Sequence, residues 1–161
     1  MRSLFSKLAF GSLFAILLSV MTGAWAEAVD PGMGTWKLNL QKSKYNPGPA
    51  LKSLTVIFEP AGKGVKATAD YVTSAGDTIS TQYTAYYDGK DYPITGSPNA
   101  DTVVLKHLGA KKIQRTDKKG GKVVQTFVRT VAADGKTMTI TQKGKNNKGE
   151  AFNNVLVLAK Q

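Results

Sequence analysis

The sequence lacks cysteine altogether and has a single histidine, His107. The absence of cysteine excludes a disulfide-stapled scaffold and a cysteine nucleophile. A lone histidine without a motif partner falls short of a serine–histidine–carboxylate triad or a clustered zinc site. We interpret His107 as one polar residue on a sheet face. The sequence therefore predicts no enzyme activity, no catalytic residue, no metal site and no cofactor.

Acidic residues are also few, 11 against 22 lysines and arginines. Most aspartates fall in or beside expected turns, where the side chain accepts backbone hydrogen bonds. Five of them are candidates for a carboxylate pair formed in space: Asp70, Asp77, Asp88, Asp91 and Asp101. An enzyme that uses such a pair is the third alternative for this chain.

Arginine is scarce as well, and beyond Arg2 the chain has only Arg115 and Arg129. Specific nucleic-acid readers depend on arginine for bidentate base contacts. We therefore expect no nucleic-acid partner. A surface rich in lysine instead indicates solubility, or weak attraction to the polyanions of a cell envelope.

Only one long apolar run occurs, and it lies at the start of the chain. Arg2 and Lys7 precede the run Leu8–Val20, and Ala24-Trp25-Ala26 matches the A-x-A cleavage pattern. The run is shorter than the roughly 20 residues that span a bilayer, although an uncleaved anchor is the alternative. We predict that residues 1–26 are a signal peptide, cleaved near Ala26.

Removal of that segment leaves one domain, residues 27–161, that is predicted to be periplasmic or extracellular and to have no transmembrane segment. The cleaved segment carries two positive charges and no negative one, so the net charge falls from +11 to +9.

Helical periodicity is absent from residue 27 onward, and alternation of apolar and polar residues takes its place. Runs of this kind, rich in threonine, valine and tyrosine, are typical of half-buried antiparallel strands. They begin at residue 34 and continue over 54–59, 65–72, 79–88, 102–108, 112–116, 123–131, 137–142 and 152–159. Turns such as Asp88-Gly89 and Asp134-Gly135 join them as hairpins. We predict an all-β fold, a single up-and-down antiparallel β-barrel of eight to ten strands, because a sandwich usually needs Greek-key crossovers.

The first strand opens with Gly34-Thr35-Trp36, which resembles the G-x-W motif of the calycin group, the lipocalins and fatty-acid-binding proteins. The segment 87–98 is similar to one found in small exported bacterial proteins of lipocalin-like fold and unassigned activity. The resemblance implies a lipocalin-like barrel in which Gly34 and Trp36 form a plug at the base. It also implies that an arginine of a late strand packs over Trp36, with Arg129 favoured over Arg115.

Two features depart from those families. The stretch 41–51 is too short and proline-rich for the helix pair of fatty-acid-binding proteins. Strand-like 155–158 ends the chain where lipocalins have a helix.

A barrel of this size encloses packed side chains or one small ligand. If the alternating faces that carry Tyr83 and Phe127 point inward, the cavity is apolar with a few polar groups, as ligand sites usually are. Four side chains are the candidate ligand-binding residues: Tyr83, Tyr87, Phe127 and Arg129. A buried Arg129 needs a carboxylate partner, and the alternative is that it stacks on Trp36 as the structural plug. Which face of the run 123–131 points inward stays open.

Turns of a meander alternate between the two barrel ends. With 88–100 taken as one connection, seven lysines form a basic loop cluster at one end: Lys63, Lys90, Lys118, Lys119, Lys122, Lys145 and Lys148. A positive mouth attracts anions, whereas a solvated surface without a partner is the plain alternative. If 92–94 forms an extra strand, the alternation reverses and the cluster divides.

These features predict a non-catalytic exported binding protein that holds a small apolar or weakly acidic ligand in the barrel interior. The alternative is an interaction protein, which binds envelope polyanions or, like an inhibitor, a partner protein through its lysine-rich loops.

Overall fold

The computed structural model describes residues 30–146 and 148–161, so the predicted signal peptide and cleavage site lie outside the described residues. No helix in these ranges is long and apolar enough to cross a membrane. A single turn of 3-10 helix, Leu40–Lys42, follows the first strand. The strands are β1 (Gly34–Leu38), β2 (Ser53–Ala61), β3 (Gly64–Val72), β4 (Thr78–Tyr86), β5 (Tyr92–Thr95), β6 (Thr102–Gly109), β7 (Lys112–Lys119), β8 (Lys122–Val131), β9 (Thr137–Lys145) and β10 (Ala151–Lys160).

The ten strands form one closed barrel in which every strand pairs antiparallel with its neighbours in sequence. β1 closes the barrel by pairing with β10, where Trp36 lies opposite Lys160 and Leu38 opposite Leu158. Closure removes the free sheet edges that an open meander would leave exposed. The predicted all-β, up-and-down antiparallel barrel is confirmed, and its architecture is consistent with a calycin-like barrel.

The short strand β5 lies within the stretch that the sequence suggested was one connection. Tyr83 of β4 pairs with Ile94 of β5, and Tyr92 of β5 pairs with Val103 of β6. Pro93 is tolerated because β5 is only four residues long and makes few ladder hydrogen bonds. This additional strand reverses the alternation of turns for the rest of the chain.

Inward side chains alternate with outward ones along the strands, as the period-2 pattern predicts. Trp36, Val65, Ala85, Met138 and Leu158 are fully buried and fill one end of the interior. We call this the closed end; it also contains the turn at residues 30–33 and the β2–β3, β6–β7 and β8–β9 turns. The opposite, open end contains the connection 39–52 and the β3–β4, β5–β6, β7–β8 and β9–β10 turns.

Candidate functional site

A cavity of about 880 Å³ occupies the barrel interior above the closed end and extends to the open end. One of its walls is apolar, because β2 and β3 turn aliphatic and aromatic side chains inward at every second position. The residues of this apolar wall are Leu54, Val56, Phe58, Ala67, Ala69 and Tyr71. The cavity thus has the apolar lining that small-molecule sites commonly have.

The facing wall has a chain of hydrogen-bonded polar side chains. Asp117 of β7 is fully buried and accepts from Arg115 Nε at 2.6 Å, Arg115 Nη2 at 2.7 Å and Gln125 Nε2 at 2.9 Å. Gln142 of β9 donates to Gln125 Oε1 at 3.0 Å, and Asn154 of β10 donates to Gln142 Oε1 at 3.3 Å. We call these five residues the polar row. Four strands therefore contribute to one continuous network.

Both ends of the polar row fix the orientation of its amides. Asp117, as a carboxylate, only accepts, so Gln125 must turn its NH₂ group toward it. At the other end, the backbone N–H of Asn46 donates to Asn154 Oδ1 at 3.0 Å. Each amide between these ends accepts from one neighbour and donates to the next.

Arg115 is the charged group of the row that faces the cavity. Its guanidinium carbon lies 5.0 Å from the centre of the Tyr83 ring and 4.7 Å from that of Phe127, so the charge is within cation–π distance of both aromatic rings. Burial raises the pKa of Tyr83, and the positive charge of Arg115 opposes that rise. For Arg115 itself, burial disfavours the charge, but Asp117 and Tyr83 together outweigh burial and raise the pKa.

A second arginine, Arg129 of β8, is held at the closed end by Asp30. Arg129 Nη1 donates to Asp30 Oδ1 at 2.9 Å and Nη2 donates to Asp30 Oδ2. Both side chains are less than 10% exposed. Burial favours a higher pKa for Asp30, but the hydrogen bond and charge of Arg129 and a hydrogen bond from Tyr87 hold it below its ordinary value. This carboxylate is the partner that a buried Arg129 was expected to need.

The turn that carries Asp30 joins Arg129 indirectly to Trp36. Gly32 N donates to Asp30 Oδ1 at 2.8 Å, and Trp36 Nε1 donates to the carbonyl oxygen of Gly32 at 2.7 Å. The guanidinium of Arg129 stacks over Phe58, at 4.6 Å from the ring centre. The cation over Trp36 is instead Lys160, whose Nζ lies 5.4 Å from the ring centre. Arg129 therefore stacks on Phe58 and not on Trp36 as the resemblance implied, and the Asp30–Gly32 turn links the two through hydrogen bonds.

Three of the four candidate ligand-binding residues, Tyr83, Phe127 and Arg129, line the cavity. The inward face of the run 123–131 is therefore the one with Gln125, Phe127 and Arg129. Tyr87 lies at the closed end instead, where its hydroxyl donates to Asp30 Oδ2 and its ring packs 4.2 Å from that of His107. Burial and the Asp30 hydrogen bond raise the pKa of Tyr87.

The seven lysines of the basic loop cluster are divided between the two ends, because β5 reverses the alternation of turns. Lys63 and Lys90 belong to the β2–β3 and β4–β5 connections, on the closed-end side. The other five surround the open end: Lys118, Lys119, Lys122, Lys145 and Lys148. Three of these line the cavity mouth, namely Lys119, Lys122 and Lys145.

Sequence reasoning missed Asp30 and the polar row. A signal for Asp30 is the turn sequence Asp30-Pro31-Gly32 directly before the G-x-W motif. A signal for the row is the pair Arg115 and Asp117, two polar residues that share the inward parity of buried Ile113.

Within residues 30–146 and 148–161, no three histidine, cysteine, aspartate or glutamate side chains come together as a metal-binding group. No protein-family model matches the chain, and neither does any curated protein.

Proposed function

We propose that this barrel is a non-catalytic binding protein, exported from the cytoplasm, that holds one small and largely apolar molecule in its interior. The observation that supports the proposal best is the cavity of about 880 Å³ with one apolar and one polar wall. This volume lies within the roughly 300–1,000 Å³ of typical small-molecule sites.

The cavity exists because inward positions of β3 and β4 hold small side chains. Ala67, Ala69 and Thr81 all line it, and the interior of a barrel also widens as the strand number rises above eight. Interiors pack to high density when function does not require space. The unfilled volume therefore favours a ligand over a purely structural interior.

Native mass spectrometry of the mature protein from its own exported compartment tests the proposal. We expect additional mass that is lost on denaturation and extracts as a small apolar molecule. A complementary test measures binding of the uncharged dye N-phenyl-1-naphthylamine. A clean apo mass from several preparations, together with no dye binding, would contradict the proposal.

A pair of tryptophan variants locates the dye. Ala69→Trp places a large ring in the cavity and is expected to weaken dye binding at least tenfold. Thr84→Trp adds the same ring on the exposed face of β4 and leaves dye affinity unchanged. Equal affinity of both folded variants would show that the dye binds elsewhere.

The open end supports a second candidate function, binding of an envelope polyanion. Lys119, Lys122, Lys145 and Lys148 surround this end, and none has an acidic partner within 4.0 Å in the part of the chain that the structure describes. Grouped cations attract anions in a salt-dependent manner. Alanine substitution of these four lysines should lower the salt concentration at which the protein elutes from heparin resin. Alanine substitution of four lysines at the closed end should lower it less.

A further inference from the structure

We infer that the polar group of the ligand is an uncharged hydrogen-bond acceptor, such as an amide, ester, ketone or aldehyde carbonyl, that binds the edge of Arg115 in the polar row. The inference rests on the proposed binding function and adds the chemical class of the ligand. A neutral acceptor differs from the carboxylate ligand that an arginine inside a cavity would at first suggest.

The charge of Arg115 is already balanced within the barrel. Asp117 is fully buried and makes two charge-assisted hydrogen bonds with the guanidinium. A ligand carboxylate on Arg115 would be a second negative charge beside Asp117, and would leave the site with a net charge in a poorly solvated place. Like charges within about 4–6 Å disfavour one another, and an uncompensated interior charge is costly. A neutral acceptor avoids both penalties.

Within residues 30–146 and 148–161, the polar row has N–H donors that make no hydrogen bond to another residue. Arg115 carries five N–H groups, of which the two bonds to Asp117 use two. Gln125, Gln142 and Asn154 each donate one N–H within the row, and the carbonyl oxygen of each already accepts a bond. Each amide therefore has a second N–H to offer. Unsatisfied N–H groups are tolerated less well than spare carbonyl lone pairs, so the row is complementary to an acceptor.

The plane of the guanidinium restricts how that acceptor approaches. The guanidinium carbon lies 5.0 Å from the centre of the Tyr83 ring and 4.7 Å from that of Phe127, and guanidinium N–H groups donate in the plane of the group, so a ligand acceptor must meet the edge of Arg115. The rest of the ligand then faces the apolar wall across the cavity, formed by residues such as Val56 and Ala69. The arrangement fits an amphipathic molecule with one carbonyl group and an apolar body.

The test compares dodecanamide with dodecanoate, which share an alkyl chain and differ in charge, by displacement of N-phenyl-1-naphthylamine at pH 7.5. We expect the wild-type protein to bind the amide at least tenfold more tightly. Asp117→Asn keeps an oxygen acceptor but leaves the positive charge of Arg115 without a counter-charge, so the acid should now bind more tightly than the amide. Asp91→Asn, the matched control, removes a surface carboxylate that pairs with Lys118 and should leave the preference unchanged.

The outcomes distinguish failure of this inference from failure of the proposed binding function on which it rests. Dye binding with an equal or tighter affinity for the acid in the wild type overturns the inference alone, as does a folded Asp117→Asn protein that still prefers the amide. If Asp117→Asn fails to fold, Arg115→Met combined with Asp117→Met replaces the pair by apolar groups. That variant should bind the amide at least tenfold more weakly than the wild type does while keeping its affinity for the uncharged dye, and an unchanged affinity for the amide would overturn the inference. Failure of the wild type to bind dye, amide and acid overturns the proposed function, and the inference with it.

Discussion

Two arginine–aspartate pairs lie inside the same barrel, and they differ in what they connect. Arg129 and Asp30 are 99 positions apart in sequence and are both buried at the closed end. Arg115 and Asp117 are two positions apart on one strand, and the Arg115 side chain is 20% exposed. The chemistry is the same, but one pair joins distant parts of the chain, whereas the other lies within β7 and reaches β8 only through the hydrogen bond from Gln125 to Asp117.

The difference separates a structural role from a site role. A buried ion pair loses hydration that its attraction regains only with good geometry and further hydrogen bonds. The Asp30–Arg129 pair gains such bonds and also anchors the turn beneath Trp36. The Arg115–Asp117 pair closes no loop, and under the proposed function it serves the ligand instead. Experiments that remove each pair should therefore affect different properties.

Breaking the closed-end pair should give the largest effect. Arg129→Leu leaves the Asp30 carboxylate buried without a counter-ion, and we expect a loss of about 3–5 kcal/mol in the free energy of unfolding, measured by urea denaturation. Replacing both residues by leucine should recover much of this loss, because no isolated charge remains. A loss below about 1 kcal/mol in Arg129→Leu, against the 3–5 kcal/mol expected for a broken buried pair, would contradict the structural role.

Acid should weaken the same pair without any substitution. Burial acts to raise the pKa of Asp30, but Arg129 and Tyr87 together hold it below the ordinary 3.8. A carboxyl group with a folded-state pKa below its unfolded one stabilises the fold above the unfolded value and loses that contribution as the pH falls through the folded one. We expect the free energy of unfolding to fall below about pH 4. The Asp30→Leu, Arg129→Leu double variant should show a shallower fall, and an equal fall would assign the effect to other carboxylates.

A smaller effect is expected from the tyrosine that supports Asp30. Tyr87→Phe removes one hydrogen bond to a buried carboxylate, which is worth about 1.5–3 kcal/mol of unfolding free energy. The variant should also begin to unfold at a higher pH on acidification, because Tyr87 helps to lower the pKa of Asp30. Tyr92→Phe is the matched control, since Tyr92 donates to Asp88 at the surface, where water replaces the lost bond. Equal losses in the two variants would argue against a special role for the buried bond.

The fold was predictable because it depends on short-range signals. Alternation along each run, with glycine turns between runs, is enough to indicate antiparallel hairpins, and closure follows from their number. β5 was only the alternative, given as an extra strand at 92–94, because Tyr92–Thr95 is four residues long and contains a proline. Such a strand is recognised by its pairing with β4 and β6, and the sequence of the segment alone does not indicate that pairing.

The site was predictable only in part. Alternation indicated one face with Tyr83 and Phe127, and both line the cavity. The polar row depends on register between strands: Asp117 lies opposite Gln125, and Gln142 opposite Asn154. A slip of one residue would turn these side chains to the outer face. The partner of Arg129 was missed for a similar reason, because Asp30 precedes β1 and lies 99 positions from Arg129 in sequence.

The smallest expected effect tests how closely the closed end is packed. A Cβ atom on Gly32 would lie 2.0 Å from Arg129 Nη1 and 3.0 Å from Asp30 Oδ1, so Gly32→Ala must displace the ion pair. Overpacking of this kind costs about 1–3 kcal/mol of unfolding free energy. At Gly109, the nearest atom to an added Cβ is 3.9 Å away, so Gly109→Ala should be tolerated. Arg129 borders the cavity only at its closed end, so displacing it should change dye affinity less than tenfold in the folded variant. A loss of dye affinity without a loss of stability would mean that the closed-end pair also serves the ligand, and the division between the two pairs would fail.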